Sequence, residues 1–528
     1  MARLMKRFAI IPFLLTAAAR AGVVQTDIAS VNADLSRSLL GTGRGVIVGI
    51  VDTGIDDTHP ALRGSMYAAR DFSNSGNTDD GDPNLGHGTG VAGLIVGHDT
   101  GFNYTGIAPS AKFVNAKVVD DNQTSIGNGT LWAATKGAKI INISVGNYVP
   151  NADTAQLNMI ADYIAEQYGV LVVSAAGNDA NQSAVNGVPN GSYNGIAVGS
   201  TVGRRYGNVA PDSAVSQPGD SRSKPELVAP GDFNTLAAAN WEFSDAYMNG
   251  ATGTSYASPI VAGIAAQMVG YGRTHGLSTD PVVLKAVLMT SAQHVLNTDG
   301  TTWHLRDAHH QIDGLHIDQP LDAQQGAGQV NGVMAYNLYA RHLDSVTKYA
   351  NWKESSLKEN GVFTLHLGKF KAGQILNATL TWLMHIGRTG QGAPGLDASD
   401  QFYQLSSLAD FSLTLLANGK RVTVSDSNSD NFEHLSMTMP ANADYSLQVY
   451  RYTGSGAKIE DFGLAALVDA PVAVASRRAR AAVAHAELAS RGSSSFATVA
   501  TPEPSSAMLL LAGGLLLLRS NRRRTAHQ

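Results

Sequence analysis

Three short segments of this chain carry side chains that could serve as a nucleophile, its base and the partner that orients the base. Val51-Asp52-Thr53-Gly54-Ile55-Asp56 ends an apolar run on an aspartate. Such a carboxylate is costly to bury unless it accepts hydrogen bonds, and a histidine N–H is the partner that catalysis would supply. In His87-Gly88-Thr89-Gly90-Val91-Ala92-Gly93 an imidazole precedes small residues that let a helix start close against a sheet. Gly253-Thr254-Ser255-Tyr256-Ala257-Ser258-Pro259 sets a hydroxyl at a helix start, where unpaired N–H groups and the helix dipole favour developing negative charge. Together they fit one relay. His87 takes the proton of Ser255 as its oxygen attacks a carbonyl, then returns it to the leaving amine, while Asp52 fixes the tautomer and stabilises the imidazolium. Taken singly, Asp-Thr-Gly also suits a structural turn or an aspartic-protease half-site, and His-Gly-Thr a packing solution. The serine segment is far more specific.

A relay of this kind needs a rigid frame. Residues 46–51, 113–119, 140–144, 170–173 and 196–198 read as strands, and their near-continuous hydrophobicity suits a parallel sheet covered on both faces. Helices are expected over 88–97, 129–137, 153–168, 255–270 and 280–292. The class is α/β, with its chemistry at the carboxyl ends of the strands. Beyond residue 345 short alternating runs at 362–367, 375–382, 411–416, 420–424 and 445–450 are divided by Gly, Asn and Asp. They predict an antiparallel β-sandwich over 345–469, followed by an Ala/Arg/Ser-rich linker over 470–500.

Bulk composition narrows the function classes. The 528 residues are 44% hydrophobic and 15% charged, which suits globular domains. A net charge of −5 argues against nucleic acid as a partner. The absence of cysteine excludes disulfides, a thiol nucleophile and thiolate metal sites.

The three motifs, in the order Asp, His, Ser, resemble the subtilases over about residues 40–335. The resemblance implies a catalytic domain over 36–340, closed by Gln325-Gly326-Ala327-Gly328-Gln329-Val330-Asn331, and a serine endopeptidase working on protein or peptide substrates through an acyl-enzyme. It implies that Asn178, in Ser174-Ala175-Ala176-Gly177-Asn178, donates to the oxyanion beside the backbone N–H of Ser255. Ser144, Val145 and Gly146 resemble the edge segment that pairs with extended substrate, and Asp179 is a candidate wall of the specificity pocket. No cofactor is needed for this chemistry. The family's frequent calcium site looks degraded, since Ala61 follows His59-Pro60 where that site has an aspartate. The acidic loop Asp79-Asp80-Gly81-Asp82 is an alternative calcium ligand set or a solvated turn. His304, His309, His310 and His316 form a histidine-rich insertion, read as a solvated loop. Residues 22–45 leave no room for the long folding propeptide common in secreted relatives. The alternative function is a surface or matrix binding protein whose β-sandwich is the working part.

Both ends look like targeting signals. Residues 1–21 join a basic start, an h-region of about a dozen residues and Ala19-Arg20-Ala21, the pattern of a secretory signal peptide. Residues 501–528 order Pro502-Glu503-Pro504, a short apolar run and Arg522-Arg523-Arg524. That order resembles the PEP-CTERM sorting signal of Gram-negative bacteria. It implies transient membrane association, processing by an exosortase-type enzyme, and delivery to the cell surface or extracellular matrix. An ordinary tail anchor is the alternative, although the run is short of the roughly 17–25 residues of a spanning helix.

Overall fold

Runs of Val and Ile too apolar to meet water on either side build the central sheet. Its strands are β1 (Ile47–Asp52), β2 (Met66–Asp71), β3 (Lys112–Lys117), β4 (Ile140–Ile143), β5 (Leu171–Ala175), β6 (Ile196–Thr201) and β7 (Leu227–Pro230). All pairings are parallel, in the order β7-β6-β5-β4-β1-β3-β2. The computed structural model describes residues 26–469 except 83–85, 120–121, 152–154, 203–206, 218–219, 233, 240, 243–244, 302–315, 318, 342, 346–347 and 391–399. The expected leader, linker and C-terminal signal lie outside the described residues, as do His304, His309 and His310.

Both sheet faces are covered, as the sequence pattern demands. Val48 and Ile50 of β1 share a core with α1 (His87–Val96), α4 (Thr254–His275) and α5 (Pro281–Thr290). Val51 packs on the opposite face with α2 (Gln123–Thr135) and α3 (Gln156–Tyr168). The chain leaves β1 toward β2 and β3 on one side and toward β4 to β7 on the other. The carboxyl end of β1 is therefore a topological switch point, where open α/β sheets form crevices. Packing begins ahead of the expected domain start at residue 36: Val31 is fully buried between the short helices Thr26–Ser30 and Ala33–Leu39, and its carbonyl accepts from Gly332 N of the closing helix Gly332–Ala340 at 2.9 Å.

The second part is the expected pair of antiparallel sheets. Its strands are β8 (Lys348–Lys358), β9 (Val362–Phe370), β10 (Ile375–Trp382), β11 (Phe411–Ala417), β12 (Lys420–Ser425), β13 (Phe432–Thr438), β14 (Ala443–Arg451) and β15 (Ile459–Asp469). One sheet continues as β12-β11-β14-β9 from His316–Ile317, the other as β8-β15-β10-β13 from Leu343–Ser345. Leu365, Trp382, Phe411, Leu447 and Phe462 fill the space between them.

The sandwich is bound tightly to the α/β part, and both lie in one compact unit ending at Pro471. Sheet β8-β15-β10-β13 packs on α5, so closely that a Cβ at Gly463 would meet the Val282 carbonyl at 2.6 Å. Thr381 Oγ1 donates to that carbonyl at 2.6 Å, and Thr290 Oγ1 to Thr379 Oγ1 at 2.8 Å. Lys285 of α5 is buried, donating to Tyr193 O, Gly195 O and Glu226 Oε1 at 2.7, 2.9 and 3.0 Å. Such a charge is tolerated only when fully paired. His385 bridges the two parts: Nδ1 faces Glu166 Oε1 of α3 at 2.9 Å and Nε2 faces Glu460 Oε2 of β15 at 2.7 Å.

Hydrogen bonds to Glu166 and then Glu460 push the His385 imidazole up to about 10. The folded value lies above the unfolded one, so its stabilisation is complete below the ordinary histidine range and lost as pH rises through about 10. His385→Ala is expected to lower stability by about 2–4 kcal/mol at pH 7, because Glu166 and buried Glu460 lose the imidazolium between them and Glu460 keeps, for a cation, the longer contact to Arg451, at 3.9 Å. Denaturant unfolding at pH 6, 7, 9 and 10.5 should show the gap to wild type closing at the alkaline end. A pH-independent gap would contradict the assignment of charge to His385.

Candidate active site

The topology brings the three chemically suggestive residues to one end of the sheet. Asp52 is the last residue of β1, His87 the first of α1, and Ser255 the second of α4. His87 Nδ1 lies 2.7 Å from Oδ1 of Asp52, whose carboxylate is 1% exposed. The same oxygen accepts from Thr53 N at 2.8 Å. The close approach of helix to strand depends on Gly88: a Cβ there would lie 2.1 Å from the Gly54 carbonyl and 3.1 Å from Asp52 Oδ1. The His87 ring is tilted against Tyr256, the residue after the serine, with centroids 5.4 Å apart.

Asp80 braces this corner, a role that sequence reading missed. Its Oδ1 accepts from Thr53 Oγ1 at 2.8 Å, and its Oδ2 from Thr89 N and Oγ1 at 2.8 and 2.7 Å. Thr53 Oγ1 in turn accepts from Gly88 N at 3.1 Å. One carboxylate thus ties the end of β1 to the first turn of α1. Its burial pushes the carboxyl above its ordinary value, partly offset by the Thr89 and Thr53 hydrogen bonds. The only sequence signal was its membership of the acidic loop.

Ser255 and Ser144 are interlocked. Ser255 Oγ donates to Ser144 O at 3.1 Å, and Ser144 Oγ donates to Ser255 O at 2.8 Å. Ser144, Val145 and Gly146 follow β4 and line the cleft that holds His87 and Ser255, a space of about 540 Å³. Asn178 stands on the other side of Ser255. Its Oδ1 accepts from Thr254 N and Thr254 Oγ1, both at 2.8 Å, and Thr254 Oγ1 accepts from Gly177 N at 3.1 Å. With the oxygen so engaged, the amide NH₂ is left as the cleft-facing donor. Thr254 is fully buried and sets this orientation; neither its type nor its spacing singles it out. The N–H of Ser255 falls in the first turn of α4, where backbone donors lack helical partners.

Asp179 does not line the cleft. It is exposed, and its Oδ1 accepts from Asn181 N and Nδ2 of its own turn at 2.9 and 3.0 Å. In the loop beside Ala61 the carboxylate of Asp99 is engaged within the protein. It accepts from Gly101 N and Tyr247 Oη at 2.8 and 2.6 Å, and Ala61 brings no oxygen beyond its carbonyl, which accepts from His98 N. Among the described residues no group of three His, Asp or Glu side chains is placed to hold a metal.

A buried Asp–His pair beside a helix-start serine and an amide donor is an arrangement capable of acyl transfer, and the chain is similar to known proteins. Residues 43–328 match the subtilase family, peptidase S8. Thermitase of Thermoactinomyces vulgaris is 31% identical over 270 residues, covering 49% of this chain and 85% of that protein. Subtilisin Savinase of Lederbergia lenta is 35% identical over 232 residues, covering 43% and 76%. The major intracellular serine protease of Bacillus subtilis (strain 168) is 31% identical over 240 residues, covering 43% and 70%. The chain belongs to the subtilase family and is a subtilisin-like serine endopeptidase.

Proposed function

We propose that Asp52, His87 and Ser255 are the catalytic triad and that the protein works outside the cytoplasm. The 2.7 Å bond from His87 Nδ1 to buried Asp52 carries the reading. It fixes the proton on Nδ1 and leaves Nε2 to act as base. When a peptide carbonyl arrives, the Ser255 hydroxyl leaves the Ser144 carbonyl and turns toward the imidazole. Oγ attacks the carbonyl carbon while its proton passes to His87. The amide of Asn178 and the N–H of Ser255 receive the developing oxyanion. His87⁺ then protonates the departing amine, and a water molecule, deprotonated by the same imidazole, releases the acid from the acyl-enzyme. Extended substrate pairs its backbone with Ser144, Val145 and Gly146, so recognition depends first on main chain. No step requires a cofactor.

The order of signals in residues 1–21 and 501–528 supports export, transient membrane retention, and processing at Pro502-Glu503-Pro504 by an exosortase-type enzyme at the surface of a Gram-negative bacterium. Among the described residues no helix is long and apolar enough to cross a membrane.

Casein hydrolysis by purified wild-type and Ser255→Ala protein tests the nucleophile. Loss of turnover by about a million-fold is expected, a magnitude known for subtilisin itself. A folded Ser255→Ala protein that still cleaves would remove Ser255 from the mechanism. For Asn178→Ala the expected loss is about a hundred- to thousand-fold in kcat with little change in KM, again on the subtilisin scale. Unchanged kcat would leave the oxyanion without its proposed donor.

A further inference from the structure

Beyond Ser255 the cleft continues as a recess between the 144–146 segment and Ala175–Asn178, with Val188 and Asn190 also in its lining. With its oxygen toward Asn178, a peptide carbonyl attacked by Ser255 would bring the side chain of its own residue to this recess. One of the lining residues is Tyr148. Its backbone is fixed beside the 144–146 wall, because Asn147–Tyr148 pairs antiparallel with Gly187–Val188. Its hydroxyl reaches the opposite wall. The Tyr148 Oη lies 3.5 Å from Ala176 O, and a Cβ built on Gly177 would fall 1.7 Å from that oxygen.

The ring therefore crosses the recess from one wall to the other. It packs against Ala176, Ala184 and Ala214, three buried residues whose small side chains leave room for a phenol. Burial, and secondarily the charge of Asp179, pushes the hydroxyl up to about 12, so it stays neutral. Asn190, which also lines the cleft, is occupied in holding Ala176 O and Ala184 O at 2.7 and 3.3 Å. Between the 144–146 segment and Ala175–Asn178 the recess thus offers an entering side chain an aromatic ring and a carbonyl-bound amide.

From this placement we infer that Tyr148 sets the cleavage preference, limiting the residue that supplies the scissile carbonyl to small uncharged side chains such as glycine, alanine and serine. The inference rests on the triad reading above. A large side chain entering the recess would meet the ring, which its alanine-lined seat holds in place. The bulk of the ring, not its hydroxyl, imposes the limit.

The test uses peptide substrates identical except for Gly, Ala, Leu, Phe or Lys at the scissile-carbonyl residue. Values of kcat/KM are taken per active site, counted by fluorophosphonate titration. Wild type is expected to favour Ala over Phe by at least about tenfold. Tyr148→Ala should raise Phe relative to Ala by about ten- to a hundredfold, while Tyr148→Phe keeps the wild-type order. Wild-type preference for Phe, Leu or Lys would overturn the proposal, as would a Tyr148→Ala enzyme with an unchanged Ala-to-Phe ratio. If Tyr148→Ala does not fold, the wild-type profile and the Tyr148→Phe order still decide. Failure of wild type to take up the fluorophosphonate or cleave any substrate would sink the triad reading instead.

Discussion

The 2.7 Å contact between His87 and Asp52 joins the end of the central strand to the first residue of a helix, and much of the surrounding architecture exists to make it. A carboxylate that is 1% exposed needs hydrogen bonds, and the imidazole supplies one only if α1 begins directly against β1. Gly88 removes the atom that would prevent this, and Asp80 fastens Thr53 to Thr89 across the junction. Because β1 lies at the switch point of the sheet, the same corner opens to the crevice where β4 delivers Ser144 to Gly146. Ser255 arrives on α4, held by its reciprocal bonds with Ser144.

The sandwich acts on this frame from behind α5. Lys285 reaches from that helix to the loop carbonyls of Tyr193 and Gly195 and to Glu226 beside β7. Asn194 in the same loop donates to Met384 O and accepts from Met384 N at 2.9 and 2.8 Å. Buried polar groups of this kind hold two parts in one register, since displacement would leave them unpaired. With no cysteine in the chain to form a disulfide, packing of the sandwich on α5 is a physical source of rigidity that the structure does display.

Most of the catalytic frame could be read from residue patterns. β1, β4, β5 and β6 announce themselves because both of their faces are apolar, and the three motifs mark the ends that matter. Edge strand β2 did not, since Met66–Asp71 is half-exposed and carries charge. In the sandwich, β8 reads as polar because residues such as Lys353, Glu354 and Ser356 face outward. β13 hides Glu433 and His434 inside, where charge in a sequence argues against burial. β15 carries Glu460 and Asp461 near its start and Gly463, Ala465 and Ala466 at its centre, residues that do not favour strands. Within the site, Asp80, Thr254 and Tyr148 escaped notice for a common reason. Each acts through contacts with residues distant along the chain, such as Tyr148 with Gly177 and Thr254 with Asn178, and neither spacing nor residue type reveals such meetings. Asp179 misled because adjacency to Asn178 in sequence is not adjacency in the cleft.

The claim that a buried aspartate drives the serine through the histidine can be measured on the covalent step itself. The rate of fluorophosphonate attachment, with the modified peptide located by mass spectrometry, should be compared between wild type and Asp52→Asn. A single adduct on Ser255 is expected, with a slowing of about ten-thousand-fold in Asp52→Asn, the scale set by loss of the correct tautomer in a serine protease. An adduct on another residue, or an unchanged rate in folded Asp52→Asn protein, would contradict that claim.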